Sequence, residues 1–91
     1  MADKKHLEKL ARKYMDELSD DIRRDGFDQY VKRDDVEAVS YGFSDMYVHM
    51  VEREGVELFA GVADLRGRYH FTVVAQGDDD TQVVTQKNEE H

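Results

Sequence analysis

Residues 7–22 read LEKLARKYMDELSDDI. Leu7, Leu10, Ala11, Tyr14, Leu18 and Ile22 recur three and four positions apart, with Met15 beside them. That spacing draws one apolar stripe down an α-helix. Asp3 is placed to cap its start, and Gly26 to end it. The helix is therefore expected over residues 4–25, roughly 30 Å long at the usual rise per residue. A helix with one apolar stripe needs a second surface to bury it, and the rest of the chain must supply that surface.

Downstream, residues 26–35 read as a connector. Phe27, Tyr30 and Val31 have helical spacing, so a short turn of helix fits there. From Val36 the composition shifts to Val, Tyr and Phe, and turn residues recur about every ten positions. Strands are expected near 36–43, 46–53, 56–63, 69–76 and 81–86. Hairpin turns fall at Glu52-Arg53-Glu54-Gly55, at Asp64-Leu65-Arg66-Gly67 and at Gln76-Gly77-Asp78-Asp79-Asp80. Tyr69, Phe71 and Val73 alternate with His70, Thr72 and Val74, as a half-buried strand requires. Residues 44–54 admit two readings. Met46, Tyr47, Met50 and Val51 share a helical face, but the run also alternates as a strand. Its β-branched and aromatic residues favour the strand. The expected fold is α+β: one long N-terminal amphipathic helix packed on a mostly antiparallel, four- to five-stranded meander.

The chain has 91 residues and a formal charge of -8, with no Cys, Pro or Trp. That length suits one domain, residues 1–91. Without Cys there is no disulfide, thiolate metal site or Cys nucleophile. The acidity argues against nucleic acid or an anionic membrane as the direct partner, because phosphates attract Lys and Arg. Residues 1–7 hold charges with no apolar run behind them, unlike a signal peptide. A cytoplasmic location is the expectation. The polar tail 87–91 is expected to fray.

Motifs that carry chemistry are scarce. Ser19, Ser40 and Ser44 lack a G-x-S-x-G context. There is no Gly-rich phosphate loop, and no H-E-x-x-H. His49 and His70 could meet on adjacent strands and share a metal with a carboxylate, but each reads more simply as a half-exposed strand residue. Asp78-Asp79-Asp80 lacks the ligand spacing of a calcium loop and reads as a solvated tip. No catalytic, cofactor-binding or metal-binding residue is therefore assigned.

Charge is distributed unevenly. Residues 1–15 hold five basic and two acidic side chains; residues 16–91 hold eight basic and nineteen acidic. The acidic density peaks at Asp16, Glu17, Asp20, Asp21, Asp25, Asp28, Asp34, Asp35 and Glu37. On a helix, Asp16 and Asp20, Glu17 and Asp21, and Asp21 and Asp25 stand one turn apart, roughly 6 Å along the axis. Carboxylates so spaced can occupy a groove built for phosphates. The nine residues are the expected contact set for a protein partner with a basic, nucleic-acid-binding surface. Tyr30, Tyr41 and Tyr47 would anchor its rim. In size, acidity and lack of a catalytic motif the chain is similar in kind to anti-CRISPR, anti-restriction and nuclease-immunity inhibitors. That likeness is of class, not of motif.

Ordinary surface chemistry and habitat also account for acidity. The pairs Glu8–Arg12, Lys13–Glu17 and Asp20–Arg24 are common helix-surface ion pairs that offset part of the charge. A high-salt habitat would enrich Asp. On that reading the protein is a homo-oligomeric structural or adaptor domain, in which a dimer would bury some of Phe43, Tyr47, Phe59, Tyr69 and Phe71 from an uncovered sheet face. A third reading is a small-ligand cup with His49, His70 and Tyr41 as its polar groups.

Overall fold

The computed structural model describes residues 3–42 and 44–91. Phe43 and the side chains of Ser40 and Tyr41 lie outside that description, and with them the roles expected of Phe43 and Tyr41. The elements are α1 (Lys4–Asp25), α2 (Phe27–Val31), β1 (Glu37–Tyr41), β2 (Ser44–Arg53), β3 (Val56–Asp64), β4 (Arg68–Gln76) and β5 (Gln82–Glu90). Five strands form one sheet in the order β1-β2-β3-β4-β5, each antiparallel to the next. This is the expected α+β arrangement of one long helix on a meander.

Local chemistry sets the boundaries of α1. The Asp3 carboxylate accepts the His6 N–H at 2.8 Å, satisfying one of the donors that a helix start leaves free. At the other end the Gly26 N–H donates to the Ile22 carbonyl at 2.8 Å. Gly26 sits at φ +91°, where a side chain would be strained. Residues 44–54 hold a strand rather than the alternative helix, because they pair with both β1 and β3. The β2–β3 turn places Glu54 and Gly55 at φ 51° and 77°. Positive φ at both central residues is what a tight two-residue hairpin needs.

The tail differs from expectation. Residues 87–90 belong to β5, and the His91 N–H donates to the Gly67 carbonyl at 3.0 Å. The His91 ring stacks on Tyr69 at 4.0 Å between centroids. Polar composition suggested fraying, but backbone pairing with β4 satisfies this segment whatever its side chains are.

The α1 stripe is buried as its spacing requires: Leu7, Leu10, Ala11, Tyr14, Met15, Leu18 and Ile22 all face the core. They pack on Leu58, Ala60, Val62, Phe71, Val73 and Ala75 of the central strands. Each large side chain buried this way contributes about 1.5–3 kcal/mol. α1 lies mainly over β4 and β5, and α2 extends the cover. Phe27 of α2 meets the rings of Tyr47 and Tyr69 at 5.5 and 5.0 Å. The helices thus occupy one face of the sheet. Among the described residues, no helix is long and apolar enough to cross a membrane.

Candidate functional site

The nine carboxylates meet different neighbours. Asp16 and Asp20 are the most open of the five on α1, at 73% and 71% side-chain exposure. Asp16 lies 3.6 Å from Lys87 of β5, and Glu17 lies 3.6 Å from Arg53 at the β2–β3 hairpin. Asp20 pairs with Arg23, while Asp21 and Asp25 share Arg24. Asp35 pairs with Arg33 at 2.6 Å, and that hydrogen bond holds its carboxyl below the ordinary range. Of the expected helix pairs, Glu8–Arg12 forms at 3.0 Å. Lys13–Glu17 and Asp20–Arg24 are replaced, because Arg53 reaches Glu17 from the sheet and the arginines close i,i+3 pairs instead. Asp28 opens on a depression of about 660 Å3 shared with Asp45 and Asp64. Asp34 is exposed in the connector, and Glu37 begins β1.

Within α1 the charges are segregated, and the first turn, with Lys4 and Lys5 and no acidic residue, opposes the helix dipole. Lys4, Lys5, Lys9, Arg12 and Lys13 crowd the positive N-terminal half. Asp16, Glu17, Asp20, Asp21 and Asp25 crowd the C-terminal half, where the last turn also holds Arg23 and Arg24, the sign of charge that a helix C-terminus favours.

A buried polar centre lies beneath the helices, and its members are scattered along the chain. His49 of β2 is 5% exposed and points under the helices, not half into solvent. The Tyr14 hydroxyl lies 2.5 Å from its Nε2, and the Tyr30 hydroxyl 2.7 Å from its Nδ1. Tyr30 also donates toward the Tyr47 carbonyl at 3.5 Å. The consistent assignment has Nδ1–H donating to Tyr30 and Tyr14 donating to Nε2. Burial, with Arg33 nearby, pushes the imidazole down to about 4. Burial raises both tyrosines above their ordinary values. Tyr30 is therefore a core residue rather than a rim anchor, and Tyr47 is half-buried beside Phe27. The only signal of this centre in the sequence is the spacing of Tyr14 on the apolar stripe and of Tyr30 in the connector.

His49 and His70 do not meet. Strand β3 separates β2 from β4, and the two rings point to opposite faces. His70 instead lies 2.6 Å from Asn88. Neither the two-histidine metal site nor the cup built on both survives this topology. Among the described residues, no group of three or more metal-ligating side chains gathers.

The second sheet face is uncovered. Met50 stands opposite Phe59, Phe59 opposite Val74, and Val74 opposite Val84, one row across four strands. Met50, Phe59 and Val84 are 54%, 42% and 57% exposed. Beside this row the sheet curves around a cavity of about 530 Å3 bordered by Asp35 and Glu37. Of the rings expected here, Phe59 projects from this face; Tyr47, Tyr69 and Phe71 lie on the helix side. Comparison of the chain with protein-family models, curated proteins and solved structures finds no match.

Proposed function

We propose that this protein is a small, non-catalytic, acidic binding module for a protein partner with a basic surface, of the kind that handles nucleic acid. The segregation of charge along α1 carries the reading. Five carboxylates gather on its C-terminal half, where like charges one turn apart weaken a helix. A local rule broken in this way points to a role outside folding.

The ion pairs do not remove this surface from use. Exposed pairs are worth only about 0–1 kcal/mol, so an incoming Arg or Lys exchanges with Arg23 or Arg24 at little cost. Asp28, Asp34 and Glu37 have no ion-pair partner among the described residues. The partner's phosphate-binding site would meet carboxylates spaced along a rigid helix, and nucleic acid would be displaced.

The test is capture of basic proteins on immobilised protein at rising salt. A specific partner should be retained at low salt and released as salt screens the contact. The triple variant Asp16→Lys, Asp20→Lys, Asp21→Lys should lose it while keeping its circular dichroism spectrum. Equal retention by the variant would sink the reading.

A further inference from the structure

We propose that the uncovered sheet face is a second docking surface, and that its occupant is a cationic amphipathic helix of a partner protein. It lies on the side of the sheet away from α1 and does not depend on the α1 carboxylates.

The apolar part of the face is continuous. Met50, Phe59, Val74 and Val84 form one cross-strand row, and Val39 and Met46 form a second pair nearby. Contiguous exposed apolar patches mark interaction sites more often than scattered residues do. The floor beside the row is Gly61, in the middle of the sheet. A side chain there would meet Met46 Sδ at 3.0 Å, so the absence of one keeps the hollow open and lets Met46 lie across it. Met46 and Met50 are unbranched and adaptable, which suits a surface that repacks around a ligand.

The charge around the row selects the occupant. Glu52 and Glu57 stand directly opposite each other and flank the β2–β3 half of the row on its hairpin side. Like charges in that position destabilise a sheet unless a cation joins them. Glu37 borders the hollow on the β1 side beside Asp35, whose charge Arg33 already offsets. Among the described strand residues on this face, the one Lys or Arg is Arg68, which lies 3.8 Å from Glu90 across the β4–β5 pair. An apolar row with carboxylates on its hairpin flank and at its β1 edge calls for an apolar stripe with a basic flank. A second copy would set carboxylate margins against one another with little positive charge to offset them.

Spacing favours a helix. Neighbouring strands lie about 4.8 Å apart. Stripe residues three and four apart on a helix are spaced by about 5–6 Å. A helix laid across the strands would therefore set successive stripe residues over successive strands, and its flanking lysines at Glu52 and Glu57.

The probe is a fluorescent synthetic helix of about eighteen residues, long enough to cross four strands at the spacing above, with leucines at i, i+3, i+4 and i+7 and lysines on both flanks. A scrambled peptide of the same composition is the control. Titration should show saturable binding of the helix over the scramble. Phe59→Asp should weaken it at least tenfold, and Glu52→Gln with Glu57→Gln several-fold, with a smaller salt dependence. Should Phe59→Asp disturb the circular dichroism spectrum, Met50→Asp makes the same test. The Asp16→Lys, Asp20→Lys, Asp21→Lys variant should bind the peptide like the parent. Equal binding of helix and scramble, or indifference to both apolar-row variants, would overturn the proposal. Sedimentation showing a dimer of the protein alone that Val84→Asp dissolves would also overturn it and assign the face to a second copy.

Discussion

The Tyr30 hydroxyl lies 2.7 Å from Nδ1 of His49, joining the short helix α2 to the second strand beneath the helix layer. Tyr14 of α1 closes the other side of the ring at 2.5 Å. Three elements thus share one buried imidazole, and among the described residues no buried side-chain polar atom is left without a partner.

Stability should fall as the pH drops from about 6.5 toward 4. In the fold His49 stays neutral down to about 4, against an ordinary value of 6.5. Between those values the unfolded chain binds the proton and the fold does not, so acid favours unfolding. The gap corresponds to about 3 kcal/mol at most. Urea denaturation across this range measures it, and His49→Gln should flatten the slope. An unchanged slope in the variant would place the titrating group elsewhere.

Tyr14→Phe should cost about 1–3 kcal/mol, because it leaves the buried Nε2 without a donor. Tyr30→Phe removes the partner of Nδ1 and should cost a similar amount. The double variant should cost less than the two singles together, since both act on one ring. Chemical denaturation of the three variants tests this; strict additivity would mean the hydroxyls are not coupled through His49.

Glu89 ties the last strand to the first helix. Burial opposes its charge, but hydrogen bonds from Ser19, Arg23 and Lys87 overcome that and leave its carboxyl below the ordinary value. Ser19 is 2% exposed and donates to it at 2.6 Å. Glu89→Ala should destabilise by about 1–3 kcal/mol by leaving the Ser19 hydroxyl unpaired. Amide exchange in β5 should rise as well. The charge of Glu89 stabilises the fold above the ordinary carboxylate range, and that contribution is lost as pH falls through its lowered folded value.

Lys4→Glu with Lys5→Glu should raise the thermal midpoint. Both lysines face the positive end of the α1 dipole, and each reversal is worth about 0.3–1 kcal/mol at low salt. High salt should shrink the gain. A fall in the midpoint would show that these lysines serve the fold, and the charge order of α1 would then need no partner to account for it.

The architecture is legible along the chain. The stripe from Leu7 to Ile22, the cap at Asp3, the stop at Gly26 and the β2–β3 turn at Gly55 are all local. Periodicity and backbone preference act between residues a few positions apart, so they can be read in order along the chain. The same local reading located the acidic density from Asp16 to Glu37. The neighbours of those residues follow from tertiary contacts. Those contacts pair Glu17 with Arg53 and Asp16 with Lys87, draw Ser19 to Glu89 across the chain, and bury His49 between two tyrosines. Tertiary pairing also gathers Met50, Phe59 and Val84, which are exposed, and the half-buried Val74 into one row. Each of those relations depends on strand register and on which sheet face the helices cover. A strand alternates between two faces without saying which one the helix will take.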